Sequence, residues 1–432
     1  MAFQQGLSGL DASASQLNTI GNNISNASTV GFKSSNTQFA DIFASSFNSS
    51  NNASAGIGTQ VSAVSQNFSQ GNIQTTGNSL DMAINGLGFF RMSNNGNISF
   101  SRDGQFQLNK NGFLVDAFGN NLTGYQATST GQIVAATPIP LQIPTANLTP
   151  SATNSSTIGV NLNANSTAPT TTPFNPTDPT SFNSSTSMTV YDSLGNSHIA
   201  TLYFSLSGPP ATGSPAATAG ASSTWNTYLT LDGNPVPPPA TGTPQSAIGQ
   251  LGFNSSGTLV YPAAGTSLKL GQMSVSLPLS NGATTPQAVT LDFSASTQYG
   301  APFAVNQLTQ NGYTSGQLSG FSTSSTGIIQ GNYSNGQTKN LGQVALANFA
   351  DPQGLQSVGN NQWTETINSG SALVGSPGTG SLGVIQSGAT EGSNVNLTSQ
   401  LVAMITAQRN YQANAQTIKT EDQITQTLIN LR

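Results

Sequence analysis

The sequence predicts a multidomain protein with α-helical, coiled-coil-like paired termini and nested, mainly antiparallel β-domains. Its 432 residues leave room for about three domains. Apolar residues recur at helical spacing at the two ends, whereas the segments between them show period-two alternation and turn residues. Twenty of the 22 prolines lie between Pro138 and Pro302, and residues 117–268 contain no Lys or Arg, so the centre is a compositionally separate insert.

The N-terminal helix is predicted by apolar residues at alternating steps of four and three. This period keeps one face of a helix toward a partner helix. Gly6, Gly9 and Gly21 weaken the prediction, because each costs about 1 kcal/mol against Ala within a helix. The apolar stripe consists of Phe3, Leu7, Leu10, Ala14, Leu17 and Ile24.

The C-terminal helix repeats this pattern over a longer stretch. Asn394 or Asn396 offers a side-chain oxygen to cap its start. A helix over residues 397–431 would span roughly 50 Å, more than is needed to cover a small sheet. We therefore expect other chains to cover part of it. The stripe consists of Leu397, Leu401, Met404, Tyr411, Ala415 and Ile418, followed after a shift in phase by Ile424, Leu428 and Leu431.

The segments between the helices are predicted to form β-strands. Residues 80–85 alternate with period two, which indicates a half-buried strand, and an Asn-Gly pair within 110–112 is typical of a tight hairpin turn. In the insert, residues 192–196 are predicted to join two strands. Strands within 327–349 are predicted to return beside the sheet of residues 80–125.

Each domain except the outermost is therefore expected to use an outgoing and a returning segment. Residues between the N-terminal helix and the first strand are rich in Ser, Asn, Gly and Gln, which is typical of a semi-extended connector. The predicted limits are 1–28 with 393–432 for the terminal helical core, 29–78 with 366–392 for the extended connector, 79–145 with 305–365 for the inner β-domain, and 146–304 for the outer β-domain.

Both terminal helices are predicted to order fully only in an assembly. An isolated helix of about 25 residues is marginal in water, because packing supplies most helical stability. Even a paired helix would leave one flank exposed unless adjacent copies covered it. The alternative is a plain helical hairpin that completes one globular subunit and resists proteolysis at both ends. The predicted subunit-interface residues are Phe3, Leu7, Leu10, Leu17, Ile24, Leu397, Leu401, Met404, Tyr411, Ile418, Leu428 and Leu431.

The composition excludes several classes of function. Only 5% of residues are charged, where about 25% is usual, and the net charge of -5 comes without any Lys/Arg cluster that could bind nucleic acid. So few charges would let many identical subunits pack closely without repulsion. With 0 Cys there are no disulfides or thiolate metal sites. The sequence has neither a run of about 18 apolar residues nor a cleavable-signal pattern, so we expect no membrane insertion and no signal cleavage on export.

No catalytic, cofactor or metal site is predicted. The single histidine, His198, is interpreted as a solvent-facing strand residue. Asp103 and Asp116, with Asn109 and Asn111, lack the spacing of a calcium loop and are interpreted as turn residues. Two other classes stay open, a secreted enzyme acting on surface polymers and a secreted adhesin. The sequence shows no catalytic constellation that would support an enzyme. An adhesin would keep its binding activity after removal of the two ends of the chain.

The ends of the chain resemble the rod and hook family of axial proteins of the bacterial flagellum, and most closely its hook branch. Residues 8–43 carry the N-terminal resemblance, with a distinctive Thr-x-Gly-Phe-Lys at 29–33, and EGSNVNLTSQLVAMITAQRNYQANAQTIKTEDQITQTLINLR carries the C-terminal one. SLDMAINGLGFFRM, SRDGQFQLNKNGFLVDAFGNNLTGY and GIIQGNYSNGQTKNLGQVALANFADPQGL resemble the family's inner β-domain. In the centre, only MTVYDSLGNSHIATLYF is similar.

The resemblance implies a structural subunit, not an enzyme, that self-assembles through its terminal helices. The product would be a curved, flexible, extracellular helical tube that transmits torque from rod to filament as a universal joint. The implied partners are many copies of the same chain, the flagellar rod, hook cap and hook-filament junction proteins, and the type III export apparatus. A distal rod subunit is the alternative within the family, but the long connector and Pro-rich centre favour the hook.

Overall fold

The computed structural model describes residues 2–42, 57–263, 265 and 268–430 of the chain. The chain divides into two compact units. The first unit combines residues 1–145, 319–332 and 338–432, and the second combines residues 146–318 and 333–337. Terminal helices and mostly antiparallel sheets confirm the predicted multidomain architecture.

Two long helices lie at the ends of the first unit, the N-terminal helix Ala2–Ser25 and the C-terminal helix Leu397–Asn430. Asn396 caps the second, because its Oδ1 accepts the N–H of Ser399 at 3.0 Å. This confirms one of the two predicted caps.

A β-hairpin packs on the N-terminal helix where the sequence predicted an extended connector. Its strands, Ser35–Ile42 and Gly58–Gln66, pair antiparallel, and residues 43–56 between them, including part of the predicted connector, lie outside the described residues. The helix holds the hairpin by polar contacts, since the N–H of Thr59 donates to Ser8 Oγ at 3.2 Å and Asn23 Nδ2 donates to the carbonyl of Ser35 at 2.8 Å. The helix is therefore covered by its own chain on this face.

The core of the first unit is a 13-stranded sheet, called here the inner sheet. The returning strands pair beside the earlier ones as predicted, with Val344 opposite Gly124 and Leu346 opposite Phe90. The strands are Phe89–Asn94, Asn97–Ser101, Gln107–Leu108, Leu114–Val115, Asn121–Gln126, Ile139–Pro140, Leu318–Thr323, Ile328–Tyr333, Thr338–Val344, Leu346–Asn348, Gln356–Gly359, Gln362–Thr364 and Leu373–Gly375, with a 3-10 helix at Pro352–Gly354.

Two small sheets connect the segment before the C-terminal helix to the rest of the first unit. Met82–Asn85 pairs with Val384–Ser387, and Ile73–Thr75 pairs with Ala389–Glu391, both antiparallel. The strand predicted within 80–85 is present at Met82–Asn85, but the prediction that it is half-buried was wrong, because Met82, Ala83 and Ile84 are all fully buried. Side chains on both faces of this strand are therefore buried, whereas the sequence predicted that one face would be open.

The second unit contains a five-stranded and a six-stranded sheet whose side chains share one apolar core. The predicted hairpin around 192–196 is confirmed, with Ser184 opposite Phe204 and Tyr191 opposite Ser197. The five strands are Ser155–Asn163, Gln272–Leu277, Gln287–Asp292, Thr297–Tyr299 and Ala304–Gln310; the six are Ser184–Tyr191, Ser197–Gly208, Ser223–Leu231, Asn234–Val236, Gly249–Phe253 and Leu259–Tyr261, and short helices lie at Pro179–Ser181 and Pro215–Thr218.

His198 in the second unit is not the solvent-facing residue that the sequence predicted. Its Nδ1 lies 2.6 Å from Oδ2 of Asp232, its Nε2 lies 3.3 Å from Oδ2 of Asp192, and its side chain is 15% exposed. These carboxylates lie in the turns after Ser184–Tyr191 and Ser223–Leu231, the two strands that flank the strand of His198. Asp192 also accepts an amide N–H of Asn281 at 2.5 Å, so the cluster links both sheets of this unit.

Candidate functional site

The terminal helices present large apolar side chains to solvent in the single chain. Of the predicted interface residues, Leu10, Leu17, Ile24, Met404 and Ile418 are half-buried, and Leu431 lies outside the described residues. The others are exposed, by 52% for Phe3, 46% for Leu7, 48% for Leu397, 50% for Leu401, 37% for Tyr411 and 64% for Leu428.

Sequence reasoning missed three further exposed apolar residues, Val402, Ile405 and Ile429. They fall between the steps of four and three that defined the stripe. The apolar surface of the C-terminal helix is therefore broader than one seam. The exposure itself could not be read from spacing, because spacing does not say which face the rest of the chain covers.

Glycines of the N-terminal helix lie directly against side chains of the C-terminal helix. A Cβ atom at Gly9 would lie 2.7 Å from Nδ2 of Asn414, and one at Gly6 would lie 3.0 Å from Cγ1 of Ile418. Ala407 on the opposite helix is fully buried. The glycines that weakened the helix prediction therefore allow close approach of the two backbones.

The two helices run antiparallel, and the longer one extends beyond its partner. Position 6 faces Ile418, whereas Asn23 donates its Nδ2 to Oε1 of Gln400 at 3.2 Å near the other end. Because the C-terminal helix has 34 residues and the N-terminal helix has 24, the last turns have no counterpart in the pair. Ile424 and Leu428 lie on this extension and are exposed.

A buried ion cluster lies where both helices join the inner sheet, and we call Lys33, Arg102 and Glu391 the root cluster. Lys33 Nζ lies 2.6 Å from Glu391 Oε1, and Arg102 Nη1 lies 2.9 Å from Glu391 Oε2. The side chains of Lys33 and Glu391 are 0% exposed and that of Arg102 is 4% exposed. One carboxylate thus pairs with two cations out of contact with solvent.

Backbone groups supply further hydrogen bonds to the root cluster, although Nε of Arg102 is buried without a partner among the described residues. Glu391 accepts the N–H of Gly71 at 2.8 Å through its side chain and the N–H of Gly31 at 2.7 Å through its carbonyl. Lys33 donates to the carbonyl of Ser69, and Arg102 to that of Gly86, both at 2.8 Å. Five segments far apart in the sequence therefore meet here.

Glycine is required at two of these positions. Gly31 has φ +70, and a Cβ there would lie 2.5 Å from the backbone N of Asp103. A Cβ at Gly71 would lie 2.0 Å from the carbonyl oxygen of Gly392. Backbone atoms cannot move aside as a flexible side chain can, so any side chain would separate the segments.

Burial dominates the electrostatics of the root cluster. Loss of solvation lowers the pKa of Lys33, the Glu391 carboxylate raises it, and the nearby Arg102 charge lowers it again, with a net lowering. Loss of solvation likewise lowers the pKa of Arg102 against the attraction of Glu391. The single carboxylate is therefore the group that makes two buried cations tolerable.

The sequence did not predict this pairing, because 358 positions separate Lys33 from Glu391. A signal was nevertheless present. Lys33 ends the Thr-x-Gly-Phe-Lys motif, Arg102 lies in SRDGQF, and Glu391 opens EGSNVN, so each residue belongs to a segment that carried the family resemblance.

The described part of the chain holds no group of three or more His, Cys, Asp or Glu side chains placed to bind a metal ion. Within the same residues, no helix combines the length and apolarity needed to cross a membrane. Asp103 and Asp116 accept backbone N–H groups two residues ahead, as turn residues do.

Four family models match the chain in the order of its segments. They are Flagella basal body rod protein over residues 3–33, Flagellar hook protein FlgE/F/G D1 domain over 83–163, Flagellar basal body protein FlaE D2 domain over 161–313, and Flagellar basal body rod FlgEFG protein C-terminal over 386–431. With the helical ends and nested sheets, they define the class as an axial protein of the bacterial flagellum.

Full-length relatives narrow the class. The chain is 42% identical to the flagellar hook protein FlgE of Escherichia coli (strain K12), with 100% of both chains covered. It is 41% identical to that of Salmonella typhimurium over 100% of both chains, and 31% identical to that of Rhizobium meliloti over 100% of this chain and 98% of the relative. The chain belongs to the flagellar hook protein family, and it is a structural subunit of the bacterial flagellar hook.

A solved structure supports the fold. The flagellar hook protein FlgE2 of Helicobacter pylori matches with a TM-score of 0.51 at 14% sequence identity. The match covers 72% of this chain and 99% of that one. At this identity the likeness concerns the fold alone.

Proposed function

We propose that the terminal helices hold hook subunits together by covering their exposed apolar side chains with those of neighbouring copies. The observation that carries this proposal is the exposure of Phe3, Leu7, Leu401 and Leu428 on two helices whose mutual contact leaves these side chains in solvent. Burying six such side chains contributes on the order of 10 kcal/mol before entropic costs.

The proposed arrangement is a helical tube with the terminal helices at its core. The helices of neighbouring copies would meet in coiled-coil-like, knobs-into-holes contacts, and the β-units would lie further out. Family membership supports further expectations: contacts with the rod, hook cap and hook-filament junction proteins, export through the type III apparatus without a cleaved signal, and an extracellular location. The role is mechanical and needs no catalytic residue, cofactor or metal.

The β-units are proposed to slide against neighbouring copies as the tube bends. The chain is only 5% charged, so Ser, Thr, Asn and Gln supply most surface hydrogen bonds. A polar contact can be exchanged through water at small net cost, whereas an ion pair cannot be exchanged so easily. The low charge therefore suits repeated bending.

Polymerisation of Leu401→Gln and Leu428→Gln variants tests the proposal. Gln has nearly the helix propensity of Leu, so the variants change surface apolarity and little else. We expect each to reduce the mass of sedimentable tubes at least tenfold at equal protein concentration. Gln408→Ala, at an exposed polar position of the same helix, is the matched control and should assemble normally.

Electron microscopy of the pellets separates tubes from amorphous aggregate. Normal tube yield in both Leu variants would contradict the proposal.

A further inference from the structure

We propose that the root cluster of Lys33, Arg102 and Glu391 is a positioning latch that fixes both terminal helices on the inner sheet. The link from latch to tube shape rests on the proposed function, whereas the latch itself can be tested on the single chain.

The cluster lies at the only short connections between each helix and the sheets of the first unit within the described residues. Lys33 follows the N-terminal helix, which ends at Ser25, and Glu391 precedes the C-terminal helix, which begins at Leu397. Arg102 directly follows the inner-sheet strand Asn97–Ser101. A change at the cluster would therefore alter the direction in which both helices leave the sheet.

The cluster is separate from the apolar cores of the first unit. The inner-sheet core consists of side chains such as Met82, Phe90 and Leu122, and the root cluster contributes no side chain to it. Phe89 of the neighbouring smaller core lies close to the cluster, with its ring centroid 5.3 Å from the Arg102 guanidinium carbon. The latch can therefore open while the inner sheet stays folded.

Loss of each of the three charged side chains is expected to have a different effect on the stability of the root cluster. Replacing Glu391 by Gln leaves two buried cations without a counter-ion, which is strongly unfavourable. Replacing Lys33 by Met leaves the Arg102–Glu391 pair, which is neutral as a whole. A latch built on charge thus predicts that loss of the carboxylate is far worse than loss of Lys33, although Lys33 is the longer side chain and is equally buried.

Two backbone amides report on the latch. The N–H groups of Gly31 and Gly71 both donate to Glu391, one to its carbonyl and one to its carboxylate. Hydrogen-deuterium exchange of the full-length chain, resolved to peptides covering residues 29–34 and 69–72, measures their protection. Peptides from the inner-sheet strands 89–101 and 338–348 serve as an internal reference.

We expect Glu391→Gln to speed hydrogen exchange in both reporter peptides roughly 100-fold, because it leaves buried cations without a counter-ion. Exchange in the inner-sheet peptides should change little. Lys33→Met should change the exchange rate of the reporter peptides less than tenfold. Adding Lys33→Met to Glu391→Gln should restore part of the protection, because it removes one of the two unpaired cations. Glu365→Gln is the matched control, since Glu365 is exposed in the same unit.

Electron microscopy of polymerised protein gives the second readout. Glu391→Gln should abolish tubes or change their curvature, and the double variant should return tubes toward the original shape. Unchanged exchange at both reporter peptides in Glu391→Gln would overturn the latch. So would equal loss of protection in reporter and inner-sheet peptides, or a double variant no better than Glu391→Gln. If the unaltered chain forms no tubes, the proposed function fails, while the exchange measurements still decide the latch.

Discussion

Raising the pH through neutrality should destabilise the second unit through His198. Both ring nitrogens face carboxylates, Asp232 at 2.6 Å and Asp192 at 3.3 Å, and carboxylates only accept hydrogen bonds. Only the doubly protonated ring can donate to both. Burial alone would lower the pKa of His198, but the hydrogen bonds and charges of the two aspartates raise it above its ordinary value.

The sign follows from this raised pKa. A group whose pKa is higher in the folded state contributes its full stability below its unfolded pKa, about 6.5 for His, and loses it as the pH rises through the folded pKa. Asp192 and Asp232 have lowered pKa values: burial opposes the shift, but hydrogen bonds, from Asn196 and Asn281 to Asp192 and from His198 to Asp232, outweigh it. Their contribution is lost only as the pH falls below about 3.9.

The size of the effect is modest. The Asp232 side chain is 48% exposed, so that pair contributes about 0.2–1 kcal/mol, and the contact with buried Asp192 adds about 1.5 kcal/mol as a charged hydrogen bond. A total near 2 kcal/mol would shift the melting temperature of a unit of this size by roughly 5 °C.

The single histidine and the two tryptophans make the assay direct. The ring protons of His198 give one titrating NMR signal, whose midpoint should lie above 6.5. In a Trp363→Phe background, fluorescence of buried Trp225 follows urea unfolding of the second unit. Stability should fall as the pH rises above about 6.5, and His198→Gln should remove this dependence. A midpoint at or below 6.5, or the same pH dependence in His198→Gln, would refute the reasoning.

Two further predictions concern assembly. Gly9→Val should destabilise the helix pair by about 1–3 kcal/mol through overpacking against Asn414, and should reduce the yield of tubes. Gly21→Val is the control and should assemble normally, because the space around Gly21 is open. Equal yields of the two variants in a sedimentation assay would contradict the contact between Gly9 and Asn414. The bending stiffness of tubes, measured from thermal curvature fluctuations, should change little between low salt and about 0.15 M, because ion pairs are few; a strong salt dependence would count against sliding through water-exchangeable contacts.

The elements that could be predicted were those with a local signal. Helical spacing predicted both terminal helices, and Asn396 could be identified as a cap because capping depends on neighbouring residues. The turn at 192–196 and the return of strands 338–348 to the earlier sheet also followed from local patterns and chain economy. The four-part division of the chain by residue limits stays a prediction.

Features that depend on distant partners could not be predicted. The spacing of Gly6 and Gly9 indicated only a weak helix, because the Asn414 and Ile418 side chains that fill the space come from the other end of the chain. Residues 80–85 looked half-buried from their alternation, because period-two spacing does not show that the fold buries both faces of Met82, Ala83 and Ile84.

Because charged residues are scarce in this chain, two charged clusters are informative about which segments are held in a fixed geometry. A buried ion pair adds little net stability over apolar packing, but removing one partner is costly, so such a pair specifies geometry more than strength. In this chain of 9 Lys and Arg residues, two are buried on one glutamate at the root of both helices, and the single histidine joins two turns in the second unit. Both clusters connect segments that are distant in the sequence. In the proposed tube, such fixed points inside each subunit would confine sliding to the surfaces between subunits.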